Sequence, residues 1–169
     1  YDYLDMDPSL LKISEEDILK EKYFSPFDLN IGDILTVTIM HIETTRGFMH
    51  VQVGKIWGYV PTEHVSDSGL SALHKLKIGD NVQARVLDID NKNQIKFTLK
   101  QSLVKSELPV LHDFDKVECG LKYHGTIAMI NRNGLLVRFY GKLKGWVPRT
   151  TLDKETYNMN WNFSIGQTV

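Results

Sequence analysis

The sequence predicts a mainly all-β protein built from two copies of a small five-stranded antiparallel barrel, the second breaking off before completion. Three observations predict it. The segment Gly54-Lys55-Ile56-Trp57-Gly58-Tyr59-Val60-Pro61 returns as Gly141-Lys142-Leu143-Lys144-Gly145-Trp146-Val147-Pro148. The match runs on without a gap to Ile78-Gly79-Asp80-Asn81-Val82 and Ile165-Gly166-Gln167-Thr168-Val169, giving eight identities in a 29-residue window. Between these landmarks apolar and polar residues alternate in short runs bounded by Gly, Pro and Asn, the pattern of half-buried strands.

Taken in order, residues 1–28 form an N-terminal extension or linker. Ser14-Glu15-Glu16-Asp17 reads as a helix start, with Ser14 as the cap and acids in the first turn. The short helix runs to about Tyr23 and stops at Ser25-Pro26. The first module covers 29–104. Its first strand, Ile34 to Ile42, places Leu35, Val37 and Ile39 on one face. Gly47 supplies a turn, and Met49, Val51 and Val53 then alternate with Phe48, His50 and Gln52. Gly54-Lys55 is a hairpin connection to a third strand that ends at Pro61, where the missing N–H stops the ladder. Residues 62–76 suit a loop with a short helix. Val82 to Asp90 is the fourth strand, Asn91-Lys92-Asn93 a turn, and Gln94 to Lys100 the fifth. Five short strands with a helix between the third and fourth are the plan of an OB-fold barrel. Residues 105–118, with Pro109, are a linker; 119–169 repeat the first half of the module and stop at the entrance of its fourth strand.

Composition excludes several classes. Hydrophobic residues are 42% and charged residues 24%, as in globular proteins. No run approaches the roughly 20 apolar residues of a membrane span, and Tyr1-Asp2-Tyr3-Leu4-Asp5 lacks the plan of a signal peptide. The absence of a starting Met and the stop at Val169 read as an excerpt. Cys119 is the sole cysteine, so neither an internal disulfide nor a thiolate zinc site can form. Histidines 41, 50, 64, 74, 112 and 124 lack metal-ligand spacing and read mostly as surface or strand residues. Asp88 and Asp90 share a strand face but precede a turn and read as solvated. No phosphate loop or nucleophile motif is present, so no catalytic residue, metal, cofactor or small-molecule substrate is expected. The net charge of −1 is unevenly spread: residues 1–28 carry three Lys against eight acids, whereas 116–169 carry eight basic residues against three acids.

A barrel of this plan binds single strands on the face of strands two and three, stacking bases on rings and tracking phosphates with cations. Alternation turns Phe48, His50, Trp57 and Tyr59 outward in the first module, with Arg46 and Lys55 nearby. In the second it points Leu135, Val137 and Phe139 inward. That leaves Leu136, Arg138 and Tyr140 outside, beside Lys142, Lys144, Trp146 and Arg149. These twelve rings and cations, Leu136 apart, are the candidate RNA-binding residues.

The residues also carry a resemblance. Gly-x-x-x-x-Gly-x-Ile at 120–127, Gly-x-Val-Pro at 58–61 and 145–148, and Ile-Gly before strand four are similar to S1 domains. So is Ile95-Lys96-Phe97-Thr98-Leu99-Lys100-Gln101-Ser102-Leu103. The similarity covers 29–169. The pairing of Val137-Arg138-Phe139-Tyr140-Gly141 with Gly145-Trp146-Val147-Pro148 further resembles repeats of a large eukaryotic nucleolar factor made of many S1 modules. That resemblance implies non-catalytic binding of single-stranded or structured ribosomal precursor RNA, assembly-protein partners, a nuclear and nucleolar setting, and no membrane. RNA-binding members place aromatics before and within strand two and a His at the end of strand three. Here those positions hold Gly47, His50 and Pro61, and then Asn133, Leu136 and Pro148. The substitution of most of these rings leaves a second expectation: a scaffold module docking proteins in a pre-ribosomal particle.

Overall fold

A computed structural model describes residues 28–152 and 163–169. The helix expected between Ser14 and Tyr23 lies outside the described residues. Five strands close into a barrel: β1 (Ile34–Glu43), β2 (Phe48–Val53), β3 (Ile56–Val60), β4 (Asn81–Ile89) and β5 (Ile95–Thr98). Alternation does what the sequence demands. Leu35, Val37 and Ile39 of β1 and Met49, Val51 and Val53 of β2 all turn inward. They meet Ile95 and Phe97, both fully buried. Each such aliphatic or aromatic side chain contributes about 1.5–3 kcal/mol on burial. Two 3-10 turns, Thr62–His64 and Gly69–Lys75, form the segment expected as loop and short helix.

The strands run β1-β2-β3-β5-β4 around the barrel. The expectation of an entirely antiparallel barrel is corrected at one seam, where β3 pairs with β5 in parallel. The reason is parity. A closed ring with an odd number of strands cannot alternate direction throughout, so one neighbouring pair must run the same way. The seam is short, with Gly58 opposite Ile95 and Tyr59 opposite Lys96. Gly58 permits it: a Cβ there would run into the Phe97 ring and stand 2.8 Å from the Ile95 carbonyl oxygen.

Beyond the barrel lies an antiparallel sheet of β6 (Thr126–Asn131), β7 (Gly134–Arg138) and β8 (Lys144–Pro148). Its registers reproduce those of β1–β3. Ile42 faces Met49 as Ile130 faces Leu135, and Val51 faces Gly58 as Val137 faces Gly145. A bulge interrupts β1 between Ile39 and His41, and β6 between Ile127 and Met129. Even the entrance of the next strand agrees. Ile39 N–H donates to Asp80 at 2.9 Å, and Ile127 N–H to Gln167 at 2.9 Å. Thr38 pairs with Asn81 and Thr126 with Thr168. A second closed barrel, however, is not present among the described residues: three strands and one bridge are.

Alternation fails just past β7. Carried onward, it predicts Phe139 inside and Tyr140 outside; the structure buries Tyr140, at 3% exposure, and leaves Phe139 half-exposed. The strand ends at Arg138, so the period of two no longer governs. Tyr140 instead folds back: its N–H donates to Leu111 of the linker at 3.0 Å, and Arg85 of the barrel lies over its ring at 5.6 Å. Gly141 N–H donates to Leu87 at 2.8 Å, and the Ser102 and Thr168 hydroxyls are hydrogen-bonded at 2.9 Å. Lys100 Nζ donates to the Gly166 carbonyl. The sheet is therefore bonded directly to the barrel and does not hang from residues 105–118 alone.

Candidate nucleic-acid interface

The outward positions of the barrel line up across its strands. His41 of β1 faces His50 of β2, His50 faces Tyr59 of β3, and Tyr59 faces Lys96 of β5. The row ends at Asp88, opposite Lys96 on β4. His41 and His50 hold their rings 6.0 Å apart and tilted by 31°. Phe48 meets His50 edge-on at 5.4 Å, and the Lys96 ammonium sits 5.8 Å from the Tyr59 ring centre. Trp57, opposite Gln52, is 55% exposed. Arg46 and Lys55 are exposed at the two connecting turns. Thr62 Oγ1 donates to the Arg46 carbonyl at 2.7 Å, which ties the β1–β2 loop to the end of β3.

On the second sheet Arg138 faces Lys144 and Leu136 faces Trp146. Arg138, Lys142, Lys144, Trp146 and Arg149 are all exposed. Arg149 follows β8, and its N–H donates to the Asn133 carbonyl at 2.8 Å. Tyr140 leaves the candidate set, since its ring is buried under Arg85 and no base can stack on it. The remaining eleven fall into two groups, rings with two flanking cations on the barrel and cations with one ring on the sheet.

Sequence reasoning passed over His41 and Lys96. The signal for Lys96 was present, because Ile95 and Phe97 point inward and the residue between them must point out. Asp88, on the strand expected over Val82 to Asp90 but read as solvated, is half-buried on β4 and faces Lys96. Asp90 does serve the turn: its Oδ1 accepts from Lys92 and Gln94 N–H, each at 2.8 Å. His64, grouped with surface histidines, is buried with Nδ1 2.9 Å from Thr98 Oγ1. Burial first, then the nearby Lys100 and Lys96 ammonium groups, lower its pKa to about 3, against the weaker pull of Asp67. Among the described residues no three His, Cys, Asp or Glu side chains gather as a metal would require.

A small closed barrel with an external ring-and-cation face is the architecture of oligonucleotide-binding modules. Residues 28–100 match the family model described as the S1 RNA binding domain. The chain thus carries an S1 RNA-binding domain and resembles rRNA biogenesis proteins. It is 32% identical over 157 residues to Protein RRP5 homolog of Homo sapiens, covering 91% of this chain and 8% of that protein. It is 28% identical over 159 residues to rRNA biogenesis protein rrp5 of Schizosaccharomyces pombe, covering 92% and 9%. The chain therefore spans under a tenth of the length of these relatives. The solution structure of GSP13 from Bacillus subtilis aligns with a TM-score of 0.39 at 18% identity, over 54% of this chain and 66% of that one.

Proposed function

We propose that this chain is a non-catalytic RNA-binding segment of a ribosomal RNA-processing and ribosome assembly factor, acting on precursor RNA in the nucleolus. One observation carries the reading: the unbroken outward row His41–His50–Tyr59–Lys96, flanked by Phe48 and Trp57. Such a row offers π-faces to successive bases and, beside Tyr59, a cation for a phosphate. Similarity to RRP5 proteins supplies the ribosomal context. The second sheet is the beginning of a second module of the same kind, a reading supported by the shared registers, the shared bulge and the matching strand-four entrance.

Fluorescence anisotropy with a labelled twelve-nucleotide oligouridylate tests this. Binding should weaken with salt, with a slope of about −0.7 in log K per neutralised phosphate. No binding at low salt overturns the proposal.

A second reading, a scaffold that docks assembly proteins, is favoured by the apolar side chains exposed after the barrel. Phe114 is 75% exposed, Leu121 50% and Val117 44%. A protein that co-purifies through nuclease and high-salt washes, from a chain that ignores RNA, would support it over the first.

A further inference from the structure

The barrel and the second sheet enclose a cleft of about 480 Å³, within the range of ligand-sized clefts. Its walls come from both units. The barrel contributes Lys96, Glu63 and Asp88; the sheet contributes Arg138, Lys142 and Lys144. Four cations thus face two carboxylates. The walls are held in place by Gly141 N–H on Leu87, by Lys100 on Gly166 and by Ser102 on Thr168, so the opening belongs to the fold.

Each wall is also the end of an outer face. Lys96 closes the ring row of the barrel and stands over Tyr59. Arg138 and Lys144 are cross-strand partners on the sheet that also presents Trp146. We infer that this cleft is a phosphate-binding passage through which one RNA strand crosses from the barrel face to the second sheet, its backbone held by Lys96, Arg138, Lys142 and Lys144. The inference rests on the RNA-binding reading above and adds a path to it. Stacking dominates on the barrel row and charge dominates in the passage. Glu63 and Asp88 oppose the strand there, so removing them strengthens its hold.

The full chain is tested with the same labelled oligouridylate. The Arg138→Gln/Lys142→Gln/Lys144→Gln variant should lose at least tenfold in affinity at low salt. Its salt slope should become shallower by about 0.7 for each phosphate contact removed. These side chains are exposed, and thermal unfolding should match the parent chain. The Glu63→Gln/Asp88→Asn variant should bind at least threefold more tightly. Unchanged affinity and slope in the triple variant, or no gain in the double variant, overturns the passage. If Trp57→Ala weakens binding while the triple variant does not, the passage falls and the RNA-binding reading stands. If the parent chain binds nothing, both fall.

Discussion

The Arg85 guanidinium lies 5.6 Å over the Tyr140 ring, joining β4 of the barrel to the segment that leaves β7. Arg85 is also fixed from below. Its Nε donates to the Gly32 carbonyl at 2.9 Å, and Nη1 to Leu103 at 2.9 Å and Ser106 at 3.2 Å. One side chain therefore ties the first turn, the barrel wall, the residues after β5 and the second sheet. Arg85→Met should cost roughly 2–4 kcal/mol, because hydrogen bonds to a charged donor are lost and buried carbonyls are stranded. Urea unfolding measures it. A loss under about 0.5 kcal/mol would show that the guanidinium is not holding these elements together.

His64 makes stability depend on acidity. Its folded pKa of about 3 lies below the ordinary 6.5, so below pH 6.5 the unfolded chain binds a proton that the native state refuses. The contribution is complete above pH 6.5 and declines as pH falls toward 3, at about 1.4 kcal/mol per pH unit. Unfolding free energies measured between pH 7 and 4 should fall more steeply for the parent chain than for His64→Asn. Lys100→Met removes the second-largest influence on the imidazole, so its titration should move upward in NMR spectra. An unmoved titration would contradict the assigned electrostatics.

Gly58 and Gly145 occupy matching places in β3 and β8, yet they should not respond alike. A methyl group on Gly58 collides with the Phe97 ring and the β5 backbone, whereas on Gly145 its nearest neighbour is the Phe139 ring at 3.1 Å. Gly58→Ala should cost on the order of 2–3 kcal/mol by overpacking, and Gly145→Ala about 1 kcal/mol or less. Equal losses in chemical denaturation would mean that the strand crossing is not what Gly58 provides for.

Trp57→Ala should weaken binding to single-stranded RNA by on the order of 1 kcal/mol or more while leaving thermal stability nearly unchanged, because its ring is largely exposed. Tyr140→Ala should do the reverse, destabilising the fold through a buried ring with little direct effect on RNA. Anisotropy and calorimetry on the same two variants separate the roles.

The barrel was legible because period-two alternation is a local signal, and Leu35, Val37, Met49 and Val51 each state their own face. The likeness of the second sheet to β1–β3 was legible because Gly58 and Gly145 sit in the same eight-residue frame. What escaped was non-local. The parallel seam follows from closing a ring of five strands, which no single strand records. Tyr140 turned inward because its partner, Arg85, lies 55 positions earlier in the sequence. The cleft likewise combines Lys96 with Arg138, residues that acquire a common purpose only when Gly141 binds Leu87. His64 offered no pattern, since its burial depends on how the 3-10 turns fold over Thr98.

The parallel seam has a mechanical consequence. Two residue pairs stitch β3 to β5, fewer than join any other neighbouring strands of the barrel, so this joint is the place where the cylinder would unzip first. Tyr59 and Lys96 flank it on the outside. Any molecule lying across both acts as a clasp, and occupancy at 100 times its dissociation constant would raise the unfolding free energy by about 2.7 kcal/mol. Amide exchange at Tyr59 and Lys96 would then slow before exchange elsewhere in the barrel, making the joint a built-in gauge of whether the outer face is filled.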